Sequence, residues 1–510
     1  MAKPRLYNHT RFDGGMTHNN RDTADLTKSS FIAHLDIYRE NHRAYVMPGF
    51  VSDNGFGGSA TGLKVYDIQA FNTANFEDRI YAVGKKADGT GSKILERKYS
   101  ESEWTLSTAG AWTIEGTADL VNYPFLHYKN PEFYYPVKDT DGNGTWIAES
   151  GPNAIGDHDD DWQTYISFSN INGRFTLKSI FTGDYYFSQT DFKKGLTKID
   201  SSGITIGTVG ESTFIRDFES GDYLVGVTGM RLNPRRGQTV LWDAASLLAD
   251  QNLSTGKGVP IAIGYPSNIW ATVNVGSSSE AETNGQSDVT VRLLAGESPQ
   301  VIFKKKTVSE INRTTEAFAL NDQYKDSMLW YLKLEESTGV YKQGIFALGR
   351  GGADSQYGTS MLLDTTTLSS VRNTFVNGNT FWFIHNEDGS VSRLDDFETG
   401  TFDVPGYIET LFYGSDTPFL KQLEGISVTT ENLPAGGTVE VQYRTDENVA
   451  FTSMGTSDTD DKQVHNFTKV AGVPIGKFRE IQFKIILTGK IALKSYLVST
   501  TENDDLSFSV

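Results

Sequence analysis

The stretch "YPFLHYKNPEFYYPVKDTDGNGTWIAES", Tyr123 to Ser150, decides how the chain is read. Two runs rich in Tyr, Phe, Val and Ile flank a cluster of Asp, Asn and Gly, which is the pattern of strand, tight turn, strand. Modules of the same kind start at Arg79, Thr164, Thr213, Val259, Met328 and Thr380, a loose but recurring spacing. An all-strand repeat of roughly 40 to 50 residues is what a β-propeller needs, because each four-stranded sheet buries its faces against its neighbours. The pattern leaves the blade number open among five, six and seven, and a string of β-sandwiches has the same local signature.

Outward from this repeat, residues 59–401 read as a β-propeller-like domain. Residues 402–510 read as a C-terminal antiparallel β-sandwich. In "TVEVQYR", Val439, Val441 and Tyr443 alternate with polar residues, and Ile481, Phe483, Ile485 and Leu487 do so in "REIQFKIIL". That alternation predicts one dry face and one wet face. Residues 1–58 show neither a clean helix nor a clean hairpin and read as an extended arm and Gly-rich linker that leads into, or closes, the first blade. One short helix is expected over Thr239 to Asn252, where Leu241, Ala245, Leu248 and Ala249 recur at helical spacing. The expected class is therefore all-β.

Composition narrows the function. Cysteine is absent from the 510 residues, which removes disulfides, thiolate metal sites and thiol nucleophiles. A net charge of -18 argues against a broad nucleic-acid surface, since phosphate binding needs concentrated Lys and Arg. Arg231, Arg235 and Arg236, and the run Lys304 to Lys306, are small basic exceptions, read as loop-tip and edge-strand charges that discourage edge-to-edge pairing. No apolar run is long enough to span a membrane, and the first residues lack the apolar core of a secretion signal. The expectation is a product made in a cytoplasm.

Within the opening stretch, "DTDGNGTW" can be read three ways. Asp139, Asp141 and Asn143 stand at positions one, three and five of a calcium loop, with Gly144 at six and the Thr145 carbonyl at seven. Positions nine and twelve are Ile147 and Ser150, so the pattern breaks after its first half. The same residues resemble the Asp-box hairpin of sialidase-like propellers through Asp141, Thr145 and Trp146. As a plain hairpin, Asp-Gly and Asn-Gly supply positive φ and Trp146 enters the core. Calcium is accordingly the one cofactor candidate, and Asp157 to Asp161 in "GDHDDDWQ" would complete such a site or form a solvated loop. His18, His34 and His42 lie in the arm without a metal-binding spacing, and "ALGRGGADS" is Gly-rich but opens no helix. No nucleophile elbow or dinucleotide fingerprint is present. Aromatic clusters such as "EFYYP", "DYYFS" and "FWFIH" suit packing between blades, or stacking on sugar rings.

The opening "RFDGGMTHNNRDTADLTKSSFIAHLDIYRENHRAYVMPGF", Arg11 to Phe50, resembles that of tailed-bacteriophage virion proteins, as do Lys421 to Thr456 and Arg479 to Gly489. The resemblance implies a non-enzymatic, tail-associated part of a virion: tip, nozzle, baseplate or fibre. It also implies a homo-oligomer whose partners are other virion proteins, with contact to a host-surface glycan or receptor. No catalytic residue transfers from it. The alternative is a glycan-binding or glycan-cleaving propeller, a tail-borne depolymerase, which would need two carboxylates about 5 to 10 Å apart in a central depression.

Overall fold

The computed structural model describes residues 4–53, the strands between residues 63 and 307, and residues 318–502, apart from short loop segments within each. The protein is all-β, with 62% of it in strands. Among the described residues there is no α-helix, only a short 3-10 turn at Pro266–Asn268.

Among the described residues, seven groups of antiparallel strands follow one another along the chain, the fifth and sixth being joined within one larger sheet. The first runs Leu63–Phe71, Arg79–Lys86, Ser92–Lys98 and Thr105–Leu106. The second is built on Glu132–Lys138, Gly144–Ser150 and Gln163–Phe168, the third on 175–209 and the fourth on 214–253. The fifth comprises Val259–Gly264, Ala271–Ser277, Ser287–Leu293 and Gln300–Thr307, and the sixth Phe318–Tyr324, Ser327–Ser337, Val340–Gly349 and Gly358–Asp364. The seventh has only three consecutive strands, Val371–Asn377, Thr380–His385 and Ser390–Leu394. Its fourth, Phe50–Ser52, comes from the N-terminal part of the chain and pairs Ser392↔Ser52 through Leu394↔Phe50.

The seventh sheet packs on the first. Val65, Ile68, Ile80 and Ala82 share one buried cluster with Phe375, Trp382, Ile384 and Val391. Trp382 stacks on Phe375 at 5.4 Å and donates its indole N–H to Asp53 at 3.1 Å. The aromatics of "FWFIH" are thus packing residues, each side chain gaining roughly 1.5–3 kcal/mol from burial.

The helix expected over Thr239 to Asn252 is replaced by two strands, Gly237–Trp242 and Ala249–Leu253, paired Thr239↔Leu253 through Trp242↔Ala249. A short apolar run has no periodicity strong enough to separate helix from strand, and the sheet neighbours on either side decide it.

The described residues within 1–58, expected as an extended arm, carry short strands. Pro4–His9, Phe31–Ala33, Leu35–Asp36 and Ala44–Val46 join sheets that contain the C-terminal strands, Gly15–Met16 pairs Lys28–Ser29 in parallel, and Phe50–Ser52 completes the seventh sheet. One sheet lines up Val464–Phe467, Lys421–Thr430 and Ala492–Glu502, whose free side takes Pro4–His9 and Ala44–Val46. The other lines up Thr452–Ser457, Thr438–Thr445, Ile481–Thr488, Gly406–Glu409 and Phe31–Ala33. Phe31–Ala33 then meets the outer strand of the sixth sheet at Met361↔Ala33, in parallel. Short strands separated by Gly, His and Asp carry little periodicity of their own, so only their distant partners make them strands.

The Gly-Gly of "RFDGGM" has a steric reason. Gly15 has φ of +64°, and a Cβ on it would collide with the Thr359 backbone. The sixth sheet opens with a two-residue turn, Lys325 and Asp326, both at positive φ (46° and 60°). Tight hairpins demand that conformation, and here it is held by Asp36, which accepts from the Tyr324 hydroxyl at 2.6 Å and from Lys325 Nζ at 3.3 Å.

Inside the C-terminal sheets, Val439, Val441, Ile481, Phe483, Ile485 and Leu487 are fully buried, as alternation predicts. Tyr443 is half-buried while Arg444 is buried, and the register slips between Val441 and Gln442, which rotates the strand's last residues.

Candidate functional site, a buried charge cluster between the sixth sheet and the C-terminal strands

Where the sixth sheet meets the C-terminal strands, charged side chains converge out of water. Ser327–Ser337 supplies Glu336, Gly406–Glu409 supplies Tyr407 and Glu409, Ile481–Thr488 supplies Lys484, and Thr438–Thr445 supplies Arg444. Lys484 Nζ donates to Glu336 Oε1 at 2.8 Å and to Glu409 Oε1 at 3.2 Å. The Tyr407 hydroxyl donates to the same Glu336 oxygen at 2.5 Å, and Lys484 lies 3.7 Å from the centre of the Tyr407 ring. The second oxygen of Glu409 faces Arg444 Nη2 at 4.0 Å. Arg444 donates through Nε to Gln482 at 2.7 Å and lies over the Phe451 ring. Side-chain exposure is 6% for Glu336 and 1% for Glu409, so both carboxylates have left solvent.

The geometry sets their charges. Burial pushes the Glu409 carboxyl up to about 7, and the neighbouring Glu336 adds to that, against the pull of Lys484 and Arg444. Burial acts in the same sense on Glu336, but the nearer Lys484 ammonium and the Tyr407 hydroxyl outweigh it and hold that carboxyl below its ordinary value. Of the two carboxyls, Glu409 is therefore the one that burial holds higher. Burial depresses the Arg444 guanidinium and raises the Tyr407 phenol well above its ordinary value. Half-buried Lys305, on the fifth sheet's outer strand, adds its charge and reaches the Phe31 ring at 5.5 Å. Such a cluster fixes geometry: each ion is acceptable only while its partners stay in place.

A second set of contacts binds the N-terminal residues to the sixth sheet. Arg11 pairs with Asp13 at 2.7 Å, and Asp13 accepts from the Gln356 amide at 3.0 Å. Arg11 also donates to the Asp354 carbonyl at 3.1 Å. The Gly-rich loop after Gly349 thus holds Arg11 and Asp13, just beyond the strand Pro4–His9. The Tyr38 hydroxyl donates to the carbonyls of Ala347 and Gly358.

Of the residues singled out for calcium, Asp139, Asp141 and Asn143 lie outside the described residues, as do Asp157 to Asp161. Their flanking strands pair antiparallel, Lys138↔Gly144. Thr145 lies in the middle strand of three, opposite Val137 and Ser167, so its backbone belongs to a ladder on both sides. His18 lies outside the described residues. His34 is fully buried against Phe50, whereas His42 is partly exposed beside Asp13. Among the described residues no group of three or more His, Asp and Glu is placed to hold a metal ion.

Sequence reading did not single out Glu336, Tyr407, Glu409, Arg444 or Lys484. The signal was present: Gln482 and Lys484 alternate with the apolar residues of "IQFKIIL", yet Gln482 is fully buried and Lys484 reaches Glu336 of the sixth sheet. Alternation marks the two faces of a strand but not what lies on the polar one.

No family model and no curated protein matches this sequence. Solved structures with a similar backbone include the WD40 domain of Neurospora crassa Pan2 (TM-score 0.40, 10% identity, covering 71% of this chain and 96% of that one). The WD40 β-propeller domain of Doa1 is similar at a TM-score of 0.38 and 9% identity, over 69% of this chain and 97% of that one. Chaetomium thermophilum Raptor is similar at a TM-score of 0.40 and 9% identity over 69% of this chain, which spans only 29% of the Raptor chain.

Proposed function

We propose that this protein is a non-enzymatic structural component of a bacteriophage virion, tail-associated, that works by assembling with copies of itself and with other virion proteins. In this reading the seven sheets are blades of a propeller closed by Phe50–Ser52, and the two C-terminal sheets face each other as a sandwich. One observation carries it. Strands from the segments that resemble phage virion proteins, Arg11 to Phe50, Lys421 to Thr456 and Arg479 to Gly489, lie in the same two sheets: Thr438–Thr445 pairs directly with Ile481–Thr488, and Phe31–Ala33 is joined to them through Gly406–Glu409. A likeness scattered along the sequence thus falls on one structural unit.

The rival reading is a glycan-cleaving propeller. A glycoside hydrolase holds two carboxylates about 5 to 10 Å apart across a sugar. Glu336 and Glu409 instead share one ammonium and are closed to solvent. Mass spectrometry of density-purified particles, with antibody labelling by electron microscopy, tests the proposal. The expected result is the protein in the particle and label on the tail. Absence from purified particles refutes it, and release of reducing sugar from host envelope glycans would favour the depolymerase.

A further inference from the structure

Two open strand edges at different places on the molecule carry opposite charge. Among the described residues, Gln300–Thr307 pairs along its length with Ser287–Leu293 and on its other side only at its end, through Thr307↔Leu334. Its exposed residues are Gln300, Val301, Lys304 and Lys306, with Val301 42% exposed and Lys304 reaching Asp288 at 3.2 Å. The other edge is the crossing from Thr452–Ser457 to Val464–Phe467, each strand paired on one side only among the described residues. Between them stand exposed Asp458, Asp460 and Asp461, followed by Val464, 46% exposed. The one lysine there, Lys462, is turned onto the Ser457 hydroxyl at 3.2 Å.

Like charges along an open edge prevent it from pairing with its own kind. The lysine edge cannot meet a second lysine edge, nor the aspartate edge a second aspartate edge. The contact that both permit is one against the other, with a valine on each side to bury. Because the two edges are different patches, such a contact between copies is head to tail and closes into a ring or runs into a filament. We propose that copies of this chain associate in this way, the Asp458–Asp461 turn and the Val464 strand of one copy against the Lys304–Lys306 strand of the next. The proposal deepens the assembly reading above by naming the partner and the surface.

The test is sedimentation velocity and native mass spectrometry of the full chain at low and high salt. The wild type is expected to form a discrete oligomer or a ladder at low salt that dissociates as salt screens the contact. Lys304→Glu with Lys306→Glu, and separately Asp458→Lys with Asp460→Lys, are expected to weaken association at least about tenfold with unchanged circular dichroism. Combining all four substitutions restores it. A wild type that is monomeric at low salt overturns the proposal, as does an oligomer indifferent to either reversal, or a fourfold variant that stays monomeric. A monomer that is nevertheless found in purified particles would remove this interface and leave the virion reading standing.

Discussion

Lys484→Met keeps the aliphatic stem of the side chain and removes the ammonium that two buried carboxylates share. Breaking a buried ion pair from one side costs about 3–5 kcal/mol, because the remaining charge has neither partner nor water. Arg444 and Lys305 still face the pair, which places the expected loss at the lower end, about 3 kcal/mol at about pH 8. The pH dependence has a definite sign. Burial already holds Glu409 up at about 7. Without the ammonium, Glu336 rises too, since Lys484 is its principal attraction against burial. A carboxyl whose folded pKa is raised contributes stability that is fully present below its unfolded value, about 4.3, and lost as pH rises through the folded one. At about pH 5 Glu409 keeps its proton in the folded state and the upward-shifted Glu336 carries less charge than at about pH 8, so the cost falls to about 1 kcal/mol. Urea unfolding followed by tryptophan fluorescence reads this, because fully buried Trp330 lies on the same strand as Glu336. A chain of this size need not unfold in one step, so the transition compared is the one that Trp330→Phe abolishes. An equal loss at both pH values, or a loss below about 1 kcal/mol at about pH 8, would refute the reasoning.

Three further outcomes follow from the same contacts. Glu409→Gln removes the carboxyl that burial disfavours and should raise the unfolding midpoint above about pH 7, with little change near pH 5; a uniform loss across pH would contradict it. Asp36→Asn weakens the acceptor of Tyr324 and Lys325 and should cost about 1–3 kcal/mol, visible as faster amide exchange at the Lys325–Asp326 turn. Deleting 402–510 leaves Phe31–Ala33 and Pro4–His9 without their sheet neighbours, so the truncated chain should be insoluble, whereas removing residues 1–47 as well should recover soluble protein. A soluble, monomeric 1–401 fragment would show those N-terminal strands to be dispensable.

How far the sequence could be read depends on how local each signal is. The strand, turn, strand modules are local, and the hairpin predicted around residues 139 to 143 has its flanks paired where expected. The inward faces of Val439 and Val441, and of Ile481 to Leu487, are local too and read correctly. Phe31–Ala33 is different. It is very short, and it is a strand because Gly406–Glu409 and Met361, from the far end of the sequence, lie beside it. The fourth strand of the seventh sheet is hidden for the same reason. Glu336 and Lys484 were invisible as a pair because 148 residues separate them and each, on its own strand, occupies an ordinary polar-face position.

Chain topology explains why the charge cluster sits where it does. Residues 4–52 serve two ends of the molecule: Pro4–His9 and Phe31–Ala33 complete the C-terminal sheets, and Phe50–Ser52 completes the seventh. Strands from residues 4–46 and 406–502 therefore share sheets, and the repeats lie between them in sequence. Two crossings tie those sheets to the repeats through Phe50 and Phe402, and two free crossings alone would permit rotation. Rotation is opposed by the contacts that leave the backbone path: Met361↔Ala33, Asp36 on the Lys325 turn, and Lys484 between Glu336 and Glu409. Apolar contact would tolerate sliding by a fraction of an ångström, whereas buried ions tolerate none without losing their partners. A polar junction in this position therefore holds the C-terminal sheets at one angle to the sixth sheet.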